Sequence, residues 1–207
     1  DMATPLEPNT VSGSIALPSH GVSTFFDQAR SSVVVSSADS GATSLIGYNE
    51  WIDVTPDGSA FDLADLRGQN TLVFFGYTHC PDICPSSLYD LQRLSTGLAE
   101  SGEPEHQVVF VSVDPERDTP ERLRSYTAYF DPDFIAVTGS HEQLVPLTRK
   151  LGIAYRIEEH EEGAAAYTVD HSASVLLMDP EGRLYGVFPA PLDVERMTAH
   201  MRRLEPS

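Results

Sequence analysis

Cys80 and Cys84 are the only cysteines in a chain of 207 residues, and they stand four positions apart. Two thiols cannot build a disulfide framework; they make one bridge or one metal site. An apolar run of aromatic and branched residues, Leu72 to Tyr77, ends just before them and reads as a buried strand. Just after them Leu88, Leu91, Leu94 and Leu98 recur at helical spacing. In a helix interior Pro85 would clash with the carbonyl four residues back. We therefore place Pro85 as the first helical residue, Cys84 as the N-cap and Cys80 one turn upstream in the loop. The positive end of a helix lowers thiol pKa and favours thiolate. Inert buried thiols fit such a place poorly, which leaves a redox-active disulfide or ligation of a soft metal. The residue added relative to a C-x-x-C pair tilts the choice toward metal.

The elements that position the pair follow from pattern. A strand is expected over Gln107–Val113 and a helix from the N-cap Thr119, with Pro120 first, through Tyr129. A short strand over Phe134–Val137 and a helix over His141–Leu151 come next. Glu158–Gly163 reads as an acidic insertion or hairpin tip. Strands over Ala173–Met178 and Leu184–Phe188 flank the turn Asp179-Pro180-Glu181-Gly182, and a helix over Pro191–Leu204 closes the chain. Upstream, Trp51–Leu63 reads as a hairpin around Thr55-Pro56-Asp57-Gly58. The fold class is α/β, with the element order of a thioredoxin-like fold, preceded by that hairpin and an extended arm. Residues 1–46, rich in Ser, Thr, Pro and Gly, are expected to be a partly extended or disordered arm, and residues 47–207 the folded domain.

Right-handed crossovers make the strands ending at Tyr77 and Val113 parallel, so their carboxyl ends share one edge, where ligands collect in open α/β sheets. A strand starting at Ala173 runs antiparallel to them and begins at the same edge. Cys80, Cys84, Asp114 and His171 are thereby expected at one place. A lone histidine beside a strand is as often a hydrogen-bonded side chain as a ligand, but this one stands at the cysteine edge. Two thiolates and an imidazole suit copper in either oxidation state, whereas a structural zinc site wants a fourth protein ligand. Asp114 is either a turn residue before Pro115 or an acceptor that orients the site from behind its ligands. Asp118 is expected to cap the following helix, and His79 to point away from the metal. His20, His106, His141, His160 and His200 have no partners at ligand spacing, and Met197 with Met201 reads as a packing face.

The formal net charge of −18, from 31 acidic and 13 basic residues, argues against nucleic-acid binding. A solvated acidic surface accounts for it; a sharper reading is steering toward a basic partner face. No run reaches the length of a membrane span and no signal peptide opens the chain, which begins at Asp1.

Gly76-Tyr77-Thr78-His79-Cys80-Pro81-Asp82-Ile83-Cys84-Pro85 resembles the signature of the Sco/SenC copper proteins, which assist assembly of cytochrome c oxidase. Val111-Ser112-Val113-Asp114-Pro115-Glu116-Arg117-Asp118-Thr119-Pro120 and Val169-Asp170-His171-Ser172 resemble it equally, over roughly Trp51 to the C-terminus. The resemblance implies a metallochaperone that binds one copper, Cu(I) or Cu(II), through Cys80, Cys84 and His171. It implies delivery to the dinuclear copper centre of apo cytochrome c oxidase subunit II. It also implies a periplasmic location tethered to the inner membrane, with the anchor missing from this chain, and exchange with another periplasmic copper chaperone or thiol reductant. The alternative is enzymatic, a thiol–disulfide oxidoreductase in which Cys80 and Cys84 form the redox pair and His171 is incidental. A peroxidase-like reaction of Cys80 alone ranks third.

Overall fold

Alternate residues of Asn70–Gly76 face opposite sides of a sheet, yet all seven are buried, so this strand needs cover on both faces. The computed structural model describes the backbone of residues 22–27 and 32–37, residue 61, and residues 64–102, 106–161 and 163–204. In chain order these are β1 (Val22–Asp27), β2 (Ser32–Ser37), β3 (Asn70–Gly76), α1 (Ile83–Glu100), β4 (His106–Ser112), α2 (Pro120–Ala128) and β5 (Ile135–Val137). There follow α3 (His141–Leu151), β6 (Tyr155–Ile157), β7 (Val169–His171), β8 (Val175–Met178), β9 (Leu184–Phe188) and α4 (Val194–Met201). The main sheet runs β1-β2-β9-β8-β3-β4-β5, and β6 pairs with β7 apart from it.

β3, β4 and β5 are parallel, and β8 is antiparallel to β3, as the crossover argument requires. Leu72 and Phe74 pack on one face with Leu88, Leu91, Leu94 and Leu98 of α1, Leu123 of α2, and Met197 and Met201 of α4. Val73 and Phe75 pack on the other with Leu144, Leu147 and Leu151 of α3 and with Tyr167 and Val169. This is the expected α/β thioredoxin-like layering, with the methionine pair as a packing face. Within the stretch read as an arm, β1 and β2 are antiparallel and β2 pairs with β9 at the sheet edge. The hairpin expected over Trp51–Leu63 lies outside the described residues except for Phe61, which is buried in the core.

Several elements differ from expectation. α1 begins at Ile83 with Asp82 as N-cap, so Cys84 lies inside the first turn rather than at the cap, and Pro85 is the third helical residue. The first turn tolerates proline because its N–H groups have no intrahelical acceptors. The carbonyl four residues back belongs to Pro81, outside the helix, so the clash that set the expected boundary does not arise. α4 starts at Val194 because the Asp193 carboxylate accepts from Arg196 N at 3.0 Å. The strands β6 and β7 are not in the expected element order, although Glu158–Gly163, read as an acidic insertion or hairpin tip, lies in the connection between them.

Leu91 has no exposed surface and fills the space between α1 and the sheet. Leu91→Ala is expected to cost about 2–5 kcal/mol, while Tyr89→Ala, on the exposed side of α1, stays within about 0.5 kcal/mol. Urea denaturation measures both; a Leu91→Ala loss below that of Tyr89→Ala would contradict the packing described.

Candidate metal centre

β3 delivers the chain to the sheet edge at Gly76, and a turn follows in which Cys80 N donates to Tyr77 O at 3.2 Å. Cys80 is half-buried in that loop, and Cys84 is fully buried in the first turn of α1. Gly76 is required by space: a Cβ there would stand 2.6 Å from Cys84 Sγ and 2.9 Å from the Phe110 ring. β7 brings its last residue, His171, to the same edge, where Nε2 lies 3.3 Å from Cys84 Sγ. The Sγ atoms and an imidazole nitrogen of Cys80, Cys84 and His171 all lie within 4.8 Å of one another.

The tautomer of His171 follows from its other contact. Nδ1 lies 3.1 Å from Ser172 O, a carbonyl that only accepts, so Nδ1 carries the hydrogen. Nε2 is the nitrogen that faces the sulfurs. The ring is held edge-on by Tyr77 and Phe74, with centroids 5.8 Å and 6.3 Å away. An imidazole oriented through Nδ1–H, with Nε2 turned to the site, is the arrangement in which histidine ligates metals.

One proton serves the two sulfurs. A hydrogen bond from Cys84 is the largest influence drawing the Cys80 thiol well below its ordinary range. His171 and the backbone N–H groups of Asp82 and Cys84 act in the same direction, while burial opposes them. The same bond to Cys80, followed by burial, pushes Cys84 upward. Cys80 is therefore the thiolate and Cys84 the buried thiol, and ligation of a metal would release the remaining proton.

Asp114, at the end of β4, touches neither cysteine. Its buried carboxylate accepts from Tyr167 Oη at 2.6 Å and from Arg117 Nε at 2.7 Å, and Tyr167 leads into β7. Asp118 is not the cap of α2; Thr119 is, accepting from Arg122 N at 3.3 Å. Asp118 instead accepts from Thr78 N at 2.9 Å, Thr78 Oγ1 at 2.6 Å and Ser112 Oγ at 2.6 Å, which ties the cysteine loop to β4. His79 faces this carboxylate, with Nδ1 3.8 Å from Asp118 Oδ1, and groups with Asp114 and Asp118 rather than with the cysteines. Those carboxylates already serve hydroxyl, amide and guanidinium donors, so the trio is not a free cation site. Burial first, then Arg122 and Arg117, lower the His79 pKa and keep that imidazole neutral.

Tyr126 of α2 was not singled out by pattern. Its ring packs on Phe110, its hydroxyl is buried without a hydrogen-bond partner among the described residues, and its pKa is raised, by burial first and then by the nearby cysteine pair. Arg117 was also missed as a candidate, although it lies inside the quoted Asp114–Asp118 segment. Among the described residues no helix is long and apolar enough to cross a membrane.

Fold and site together define a thioredoxin-like protein that presents two thiols and a lone imidazole nitrogen at the carboxyl edge of its parallel strands. The family model SCO1/SenC matches residues 47–205, and the chain belongs to that family. The mitochondrial "Protein SCO1 homolog 1" of Arabidopsis thaliana is 34% identical over 172 residues, covering 83% of this chain and 51% of that one. The chain thus spans about half the length of that curated relative. The structure of Arabidopsis thaliana ScoI with copper bound is similar with a TM-score of 0.67 at 35% identity, covering 72% of this chain and 92% of that chain. A SCO1/SenC family lipoprotein from Bacillus anthracis gives 0.62 at 25% identity, over 78% of this chain and 99% of that chain.

The unequal sulfurs make a direct prediction. With limiting iodoacetamide at pH 6, Cys80 is expected to be alkylated at least about tenfold faster than Cys84, because it is the thiolate and the more exposed of the two. Peptide mapping by mass spectrometry reads the ratio; equal labelling would contradict the assignment.

Proposed function

We propose that the chain is a copper metallochaperone whose cargo is one copper ion held by Cys80 Sγ, Cys84 Sγ and His171 Nε2. The observation that carries this reading is the convergence of three donor atoms, with His171 held through Nδ1–H on Ser172 O and its Nε2 3.3 Å from Cys84 Sγ. The donor set fits the ion: thiolates are soft enough for Cu(I), and imidazole nitrogen helps to retain Cu(II). No fourth donor joins the cluster among the described residues, which disfavours structural zinc. The copper-bound relative supports the choice of metal. Cys80, half-exposed in its loop, is the sulfur that an acceptor's thiolates can approach for ligand exchange. Asp114 acts at one remove, by holding Tyr167 at the entrance to β7.

Family resemblance supports apo cytochrome c oxidase subunit II as the recipient, since it carries the dinuclear copper centre. The lipoprotein relative supports a membrane tether, and the family resemblance supports a periplasmic setting with another copper chaperone or a thiol reductant as a further partner. The span of the family match supports residues 47–207 as the copper-binding domain and 1–46 as its arm.

A second reading has its own observation, the Cys80 thiolate at a helix N-terminus beside a resolving thiol. In that reaction Cys80 Sγ attacks an acceptor disulfide and displaces one acceptor thiolate. Cys84 then attacks the mixed disulfide, so the acceptor leaves as a dithiol and this chain keeps the Cys80–Cys84 bond. Copper and this bond exclude one another because ligation needs both sulfurs free.

Cys80→Ser and Cys84→Ser are each expected to weaken Cu(I) binding by more than the roughly 10–100-fold that loss of an outer partner costs. Competition with a Cu(I) chelator measures this, and a tightly held copper in either variant would remove that residue from the ligand set. His171→Ala is expected to lose the Cu(II) charge-transfer colour, keep a measurable Cu(I) site, and fail to support oxidase assembly in cells. Normal oxidase activity with Cu(II) binding abolished would overturn the chaperone reading and favour disulfide exchange.

A further inference from the structure

His171 is the last residue of β7, a strand of three residues paired only with β6. Among the described residues no ladder hydrogen bond joins this hairpin to the main sheet, so apart from the chain's passage into β8 it is side chains that set where the imidazole stands. Tyr77 contributes from the residue after β3, its hydroxyl accepting from Val169 N at 3.5 Å. Tyr155 Oη of β6 lies 3.5 Å from His141 Nδ1 of α3, and further polar ties reach the turn between β4 and α2, at Asp114, Glu116 and Arg117.

Arg117 is nine-tenths buried. Its Nε donates to Asp114 Oδ2 at 2.7 Å and its Nη1 to Tyr167 O at 2.9 Å. The guanidinium carbon sits 3.4 Å above the Tyr167 ring and 5.6 Å from the Tyr77 ring, and Tyr77 meets His171 edge-on. His160 stacks on Tyr167 with centroids 3.6 Å apart and planes at 8°. Two groups that close to one ring centre cannot share a face, so Tyr167 is gripped between His160 and Arg117. The contacts form one column: His160, Tyr167, Arg117, Tyr77, His171.

We infer that Arg117 and Tyr167 are positioning residues that clamp the β6–β7 hairpin to the β4–α2 turn and so set His171 opposite the cysteines, with His160 as the outer plate of the clamp. A cation between two aromatic faces, shielded from water, is held by ring quadrupoles as well as by its hydrogen bonds. Lysine at 117 keeps the charge but loses the fork that engages Asp114 and Tyr167 together.

The outer plate titrates. His160 Nδ1 lies 2.8 Å from Glu158 O and Nε2 3.1 Å from Glu116 Oε2, and both partners are acceptors. Both nitrogens must therefore carry hydrogen, which makes the closed form the imidazolium. The bond to Glu158 O, then that to Glu116, raises the His160 pKa, against burial and the Arg117 charge. Glu159 lines the same groove, and Asp114 lies beyond Tyr167. A folded pKa above the unfolded one gives a contribution fully present below the ordinary histidine range and lost as pH rises through the folded value.

The consequence for copper rests on the proposed function, but the clamp is testable in the metal-free, reduced protein. In Arg117→Gln, NMR of the imidazole nitrogens should show His171 losing its fixed Nδ1–H tautomer signature. Amide exchange over residues 168–172 should rise at least about tenfold, with Cys80 alkylation unchanged. Tyr167→Phe, which keeps the ring and loses the Asp114 bond, should show the same change in smaller degree, and Arg117→Lys should restore it in part. Corrected for intrinsic rates, hairpin exchange in the unaltered chain should rise with pH through the imidazole titration and be pH-independent in His160→Gln. In the copper-loaded state, Arg117→Gln should lose about 10–100-fold in Cu(II) affinity while Cu(I) binding persists. A His171 signature and hairpin exchange unchanged in Arg117→Gln would overturn the clamp, and a flat pH profile in the unaltered chain would remove His160 from it. Absence of copper binding by the unaltered chain would sink the proposed function and leave the metal-free readouts to judge the clamp.

Discussion

At the carboxyl end of β3 the buried sulfur of Cys84 lies so near the Gly76 backbone that any side chain there would meet it at 2.6 Å. The geometry of the site depends on that close approach. It lets the first turn of α1 sit against the strand end and points Cys84 Sγ across the sheet edge at His171 Nε2, 3.3 Å away. Cys80, one loop earlier, then completes a cluster in which every donor atom is within 4.8 Å of the others. The cysteine pair and His171 come from segments far apart in the chain, so the parallel pair β3–β4 and the antiparallel strand β8 do the work of convergence.

Two buried carboxylates brace this edge without joining it. Asp118 holds the cysteine loop through Thr78 and the end of β4 through Ser112. Asp114 holds the opposite side, where Tyr167 and Arg117 meet it. Each carboxylate is satisfied by several donors, as a buried charge must be. The cysteine side is thereby fixed to the helix and main sheet, while the histidine side hangs on a short hairpin. Such a division suits the carrier role proposed above, in which cargo must be both held and released.

Much of this was legible in the sequence because its signals are local and long. The apolar run before Cys80, the leucine spacing after Cys84 and the Thr119-Pro120 start of α2 each name an element by themselves. Their order gave the crossovers, and the crossovers gave the shared edge. The start of α1 was misplaced because proline was treated as tolerated only at the first helical position, whereas the whole first turn lacks intrahelical acceptors. β6 and β7, at three residues each, are too short for an alternation to declare itself. Asp118 reads as a cap from its neighbours, but Thr78, the group that claims it, is 40 residues away. His160 and Tyr167 carried no spacing signal, because what joins them to Glu116 and Arg117 is tertiary contact alone.

The central claim is that one copper ion is held by two sulfurs and one imidazole nitrogen of this chain. X-ray absorption at the copper edge of the reduced protein, loaded with one equivalent of Cu(I), tests it without altering a residue. The account predicts two sulfur neighbours and one nitrogen neighbour, with the outer-shell scattering of an imidazole ring. A shell with a single sulfur, or with sulfur and no imidazole pattern, would contradict it.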